Sequence, residues 1–168
     1  MNDIKHQIIK ILENISLLLQ IKGESYFKFS AYSNAAEILK GNDFNIEQLV
    51  KEQKLSGING IGDALNKKIT DYILNGKMDY YEKLKAEYPE SLLDMLKIEG
   101  LGPKKVNQIF SELKLSNIVE LEKAANSGEL IKLKGFSKKI IETVLNSINQ
   151  IKQYDNYKER KIDFDKIQ

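Results

Sequence analysis

Ile98-Glu99-Gly100-Leu101-Gly102-Pro103-Lys104-Lys105 is the stretch on which the reading of this chain turns. An apolar residue leads into glycine, a second apolar residue and a second glycine; a proline and two lysines follow. The glycines allow the backbone angles of a tight reversal, and Pro103 is preset for the first turn of a helix. The arrangement recurs at Ile58-Asn59-Gly60-Ile61-Gly62, followed by Lys67-Lys68, and at Leu133-Lys134-Gly135-Phe136-Ser137, followed by Lys138-Lys139. The first glycines lie 40 and 35 residues apart, the mark of one repeated supersecondary unit. Ser137 replaces the second glycine in the third copy, so that copy departs furthest from the pattern.

Outward from these turns, helical periodicity fills the chain. Ile4, Ile8, Ile11, Leu12, Ile15, Leu18 and Leu19 recur at steps of three and four, which predicts a first helix ending at Gly23. Tyr32, Ala35, Ala36 and Leu39 predict a second, stopped by Gly41-Asn42. Ile46, Leu49 and Val50 predict a short third, and Ile61, Leu65, Ile69 and Ile73 a fourth ending at Asn75-Gly76. Further helices follow around Tyr80 to Leu84, Leu92 to Leu96, Val106 to Leu113, a Ser116-capped run to Ala125, Leu130 to Leu133 and Ile140 to Ile148. Nothing alternates as a strand does. The expected fold is all-α, with about ten helices and no sheet, in segments 1–78, 79–152 and a polar tail or linker, 153–168.

Composition excludes several chemistries. With 168 residues and no cysteine, disulfides, thiolate metal sites and Cys nucleophiles are out. A single histidine, His6, excludes a multi-His zinc site and is expected to be solvated. No signal pattern opens the chain and no long apolar run crosses a membrane, so the expectation is a soluble cytoplasmic monomer, nucleoid-associated if bacterial. The net charge is only +2, with Arg160 the only arginine. Nucleic-acid binding therefore has to come from local placement and not from bulk charge.

Each turn supplies such a placement. The helix after it presents unpaired N–H groups and a positive dipole end, a ready seat for a phosphate oxygen. The glycines let that phosphate come close, and the lysines add point charge. A site of this kind holds a sugar-phosphate backbone without reading bases. The expected DNA-binding set is Gly60, Ile61, Gly62 and Lys67; Gly100, Leu101, Gly102, Lys104 and Lys105; and Gly135, Phe136, Ser137, Lys138 and Lys139. The bland alternative for any single copy is a structural turn.

These residues resemble the helix-hairpin-helix motif, and over about residues 1–150 their order is similar to the amino-terminal part of the X-family DNA polymerases, bacterial branch. Lys28-Phe29-Ser30-Ala31-Tyr32-Ser33-Asn34-Ala35-Ala36 resembles the family's second-helix segment. The resemblance implies a lyase-like domain followed by a fingers-like domain, binding gapped or nicked DNA or a single-strand/duplex junction in repair. It implies no required cofactor, but Na+ or K+ at the backbone carbonyls of Ser56, Ile58 and Ile61, and of Leu96, Ile98 and Leu101. The chain stops where the family's palm would begin. It is therefore expected to be a fragment or a free-standing relative, unable to polymerise alone, with any palm in the same or another chain. Asp163-Phe164-Asp165 has an Asp-x-Asp spacing, yet no phosphate-binding Gly-Ser segment precedes it and no third acid follows, so it reads as polar tail.

The resemblance also places a Schiff-base nucleophile at Lys68, with Lys28 and Tyr32 lining its pocket. A lysine amine must be neutral to attack an abasic-site aldehyde, and a neighbouring ammonium such as Lys67, with partial burial, would favour that form. Ala64 and Ser33-Asn34 stand where the family carries basic residues, which weakens the match. Lys67 and Lys68 acting only on phosphates is the competing role, and Tyr80-Tyr81 reads as core and rim packing. Three functions are thus in play: a DNA-binding module, an abasic-site (5′-deoxyribose phosphate) lyase, and a protein-interaction scaffold.

Overall fold

The computed structural model describes residues 3–167, with side chains described through Arg160. The order is α1 (Asp3–Lys22), α2 (Tyr26–Lys40), α3 (Ile46–Lys51), α4 (Asp63–Asn75), α5 (Asp79–Glu87), α6 (Leu92–Met95), α7 (Pro103–Leu113), α8 (Ile118–Ser127) and α9 (Lys138–Ile167). Short 3-10 turns at Leu55–Gly57 and Leu130–Lys132 lead into the first and third glycine turns. No strand occurs among the described residues, so the fold is all-α. None of the described helices is long and apolar enough to cross a membrane. The acidic pair in Asp163-Phe164-Asp165 lies outside the residues whose side chains are described.

The chain packs as two units, residues 1–93 and 94–168. In the first, α1 buries Ile8, Leu12, Ile15 and Leu19 against α2, whose Ala35 and Ala36 keep the helices close. Gly23 ends α1 in the left-handed region, with the Glu24 N–H returning to the Leu19 carbonyl at 3.0 Å. α5 packs into this first unit: Tyr81 and Leu84 are buried, and the Asn14 amide donates to the Tyr81 phenol at 3.0 Å. In the second unit Val106, Ile109, Leu121, Leu130, Phe136, Val144 and Ile148 form the core. Each such aliphatic burial contributes about 1.5–3 kcal/mol before entropy is charged against it.

Two local features differ from the sequence expectation. Asn117, not Ser116, caps α8: its Oδ1 accepts from the Glu120 N–H at 2.9 Å, while the Glu120 carboxylate accepts from the Ser116 N–H at 3.1 Å. Glu120 thus ties both residues to the helix start, and an acid three residues on is a spacing Asn117 has and Ser116 lacks. Residues 153–167 continue α9 as helix, with no glycine or proline to stop it, and through Arg160 they are exposed.

Gly60 gives a stability test. It has φ +98°, and a Cβ there would collide with Ile38 Cδ1 of α2. Gly60→Ala should cost about 1–2 kcal/mol from the left-handed backbone alone, read as a lower urea midpoint with unchanged slope.

Candidate functional site

The three glycine turns share one backbone. Ile61, Leu101 and Phe136 each donate their N–H three residues back, to the carbonyls of Ile58 (3.0 Å), Ile98 (3.1 Å) and Leu133 (3.2 Å). The glycine inside each turn is left-handed, at φ +98°, +92° and +85° for Gly60, Gly100 and Gly135. The apolar residue after it is buried in every copy. The second glycines are different: Gly62 (φ −81°, ψ −177°) and Gly102 (φ −99°, ψ −179°) are extended, a conformation open to any residue. A Cβ on either would meet nothing within 4 Å. Neither backbone angles nor internal packing requires glycine there, and the space over each is open. Both glycines start a helix that no side chain caps, which leaves first-turn N–H groups of α4 and α7 facing outward.

In the first unit a cavity of about 870 Å³ is lined by Lys28, Tyr32 and residues 56–65 of the first turn. Lys68, half-buried on α4, holds its Nζ 5.8 Å from the centre of the Tyr32 ring and 4.6 Å from that of Tyr80. The two rings are parallel within 5°, their centres 5.8 Å apart. Burial lowers the Lys68 pKa below its ordinary value, and the Lys28 ammonium lowers it further. The relevant ammonium is therefore Lys28, reaching across from α2, and not the adjacent Lys67, which lies on an exposed face. Lys28 itself pairs with Glu24 at 3.4 Å. Tyr32 is raised, first by burial and then by the Tyr80 phenol, so it stays protonated. The structure thus brings Lys28, Tyr32 and Lys68 together and adds Tyr80, a residue read from sequence only as packing. Beside Lys28, Phe27 is 86% exposed and touches Tyr26 edge to face, an aromatic corner that periodicity alone does not mark.

Residues 4–78 match the family described as Helix-hairpin-helix domain, and residues 92–150 match the SAM-like Helix-hairpin-helix tandem. The chain belongs to the helix-hairpin-helix proteins. It is 34% identical over 146 residues to the DNA polymerase/3'-5' exonuclease PolX of Bacillus subtilis (strain 168), covering 87% of this chain and 25% of that relative. The chain thus spans a quarter of the relative's length, and it corresponds to the helix-hairpin-helix region of the X-family polymerases.

The three hairpins are not equally available. In the second, the Glu99 N–H donates to the buried Ser147 hydroxyl at 3.0 Å, and Gly100 packs on Thr143 and Val144, so α9 fixes the loop while its helix start stays open. In the third, Ser137 Oγ accepts from the Ile140 N–H at 3.2 Å, occupying an amide a phosphate would use. Gln108 donates to the Lys134 carbonyl at 2.9 Å, and Lys105 reaches the Gly135 carbonyl at 3.4 Å and lies 5.2 Å from the Phe136 ring centre. Lys105 is therefore turned onto the third hairpin, whereas Lys67, Lys104, Lys138 and Lys139 are exposed. The first hairpin carries Asp63 at its helix start, a carboxylate that suits the helix dipole and repels an incoming phosphate. Pro103 occupies that place in the second.

His6 is exposed on α1, as expected, and lines a separate cavity with Lys5, Lys40 and Asp43. No group of three or more acids or histidines able to hold a metal occurs among the described residues. The carbonyls of Ile58 and Ile98 each accept one turn hydrogen bond and keep a second lone pair.

Proposed function

We propose that this chain binds DNA by its phosphates, without sequence preference, at gaps, nicks or single-strand/duplex junctions, as the DNA-binding part of an X-family repair polymerase. The observation that carries this reading is the pair of bare, extended glycines, Gly62 and Gly102, at uncapped helix starts beside exposed lysines. The helix-hairpin-helix matches and the polymerase relative support it. The remaining lone pairs at Ile58 and Ile98 suit a monovalent cation, Na+ or K+, bridging each turn to a phosphate. Polymerisation would need a palm, in this or another chain.

Titration of fluorescent gapped duplex against salt tests the reading. With about four phosphates neutralised, matching exposed Lys67, Lys104, Lys138 and Lys139, log K should fall against log[salt] with a slope of roughly −3.6. Scrambling the sequence should leave affinity within about twofold, since phosphate contacts carry no base information. Salt-independent or strongly sequence-dependent affinity refutes backbone binding, and no DNA binding at all favours a protein-interaction scaffold.

A second reading, abasic-site lyase, is favoured by the half-buried Lys68 with the Lys28 ammonium acting on it. In this reaction the neutral amine attacks C1′ of the open sugar, forming a C–N bond. The carbonyl oxygen leaves as water, giving a protonated imine. Loss of a C2′ proton then breaks the C3′–O bond and frees the strand with its 5′-phosphate, and water hydrolyses the unsaturated imine left on the lysine to return the amine.

A further inference from the structure

The Lys68 amine rests on an aromatic face that comes from a different helix, and that face is held independently of the lysine. Tyr80 sits between two anchored neighbours. The Asp79 N–H donates to the Asp71 carboxylate of α4 at 3.0 Å, and Asn75 braces the same carboxylate at 2.6 Å. On the other side, the buried Tyr81 phenol accepts from Asn14 of α1. Tyr80 is therefore held between two fastened residues, Asp79 through its backbone N–H and Tyr81 through its phenol, and its stacking on Tyr32 completes the platform.

We propose that Tyr80 is a positioning residue for Lys68: its ring, stacked on Tyr32, holds the amine beside the first-hairpin cavity where an aldehyde sugar would be presented. The inference rests on the lyase reading. A cation within about 6 Å of a ring centre is attracted to its face, and the 4.6 Å contact to Tyr80 is the closer of the two at Lys68. The charged or titratable groups placed around the amine are Lys28 and Tyr32 from α2 and Tyr80 from α5. Burial and Lys28 favour the neutral amine, whereas the ring face favours the ammonium. The ring also favours the protonated imine, which keeps the positive charge at the same nitrogen after water has left. A leucine at position 80 keeps much of the burial and removes the face; a phenylalanine keeps both.

The test uses the full chain as wild type, Tyr80→Leu and Tyr80→Phe, with two readouts. One is the titration midpoint of the Lys68 side chain, followed by NMR of ¹³C-labelled lysine. The other is the rate of borohydride trapping on 5′-phosphorylated abasic-site DNA. Tyr80→Leu should move the midpoint to lower pH and, at a pH above both midpoints where the amine is neutral in either protein, slow trapping about threefold at saturating DNA, the scale of an exposed cation–ring contact. Tyr80→Phe should restore both. An unmoved midpoint in Tyr80→Leu overturns the proposal, and so does a moved midpoint with unchanged trapping. A wild type that forms no adduct overturns the lyase reading and with it Tyr80's part in the chemistry; a midpoint shift surviving in that case shows that the ring–amine contact was correctly placed and the reaction was not.

Discussion

Lys68→Ala should abolish borohydride trapping on abasic-site DNA, while Lys28→Ala should only weaken it. The two lysines share a pocket wall but differ in environment. Lys68 is half-buried and shifted toward the neutral amine, first by burial and then by Lys28. Lys28 is exposed and paired with Glu24. An unperturbed lysine with pKa about 10.4 is neutral in fewer than one molecule in about 10³ at pH 7, so a depressed pKa directly enlarges the reactive fraction. Removing Lys28 takes away the second of the two causes and leaves the first. Trapping in Lys28→Ala should therefore persist at a several-fold lower rate, and its pH profile should move to higher pH. In the wild type the rate should climb as pH rises toward the Lys68 pKa and level off above it, because deprotonation creates the nucleophile. The resemblance puts basic residues where this chain has Ala64 and Ser33-Asn34, so weak substrate capture and slow turnover are expected. Equal trapping in all three proteins means incidental surface lysines; none in the wild type leaves a DNA-binding module.

The parts of this site legible in sequence are those set by neighbours in the chain. A left-handed glycine, an apolar residue and a helix start follow one another within five positions, so Gly100-Leu101-Gly102 announces its own geometry. Lys28, Tyr32 and Lys68 were reachable only through resemblance, since nothing in their local spacing brings α2 to α4. Tyr80 was not reachable either way. Its role depends on the hydrogen bond from the start of α5 to Asp71 of α4 and on the Tyr81–Asn14 hydrogen bond, the second of which fastens residues 67 apart in sequence. The same limit applies to Lys105: adjacent to Lys104 in sequence, it lies one step around the helix and meets the Gly135 carbonyl, 30 residues on. A lysine pair is thus a charge count, and the fold decides which member faces solvent. The cap of α8 is a different case. Ser116 and Asn117 are both good caps, and what distinguishes them is Glu120, three residues after Asn117.

Gly102→Val should lower affinity for duplex-containing DNA by roughly tenfold to a hundredfold, the loss expected for one charge-assisted phosphate contact, while leaving the fold in place. The structure separates the two effects. Gly102 is extended, so valine, a strand former, takes its backbone angles without strain. The new Cβ would meet no atom of the protein within 4 Å, so nothing inside has to move. The internal cost is a poorer helix cap, about 1 kcal/mol or less relative to glycine, visible as a small drop in melting temperature with unchanged helical circular dichroism. What valine fills is the space over the uncapped start of α7, where the Lys104 and Lys105 N–H groups point outward and a phosphate oxygen would sit. Gly100→Ala is the opposite control: it strains a left-handed residue packed on Thr143 and Val144, so any affinity loss there should come with lost stability. Lys104→Ala should weaken binding and make the salt slope shallower by about one phosphate's worth, roughly 0.9. Lys105→Ala should change the slope little, because that lysine already serves the third hairpin. If Gly102→Val binds gapped duplex as tightly as the wild type, the second hairpin is a turn between two helices and no phosphate reaches it.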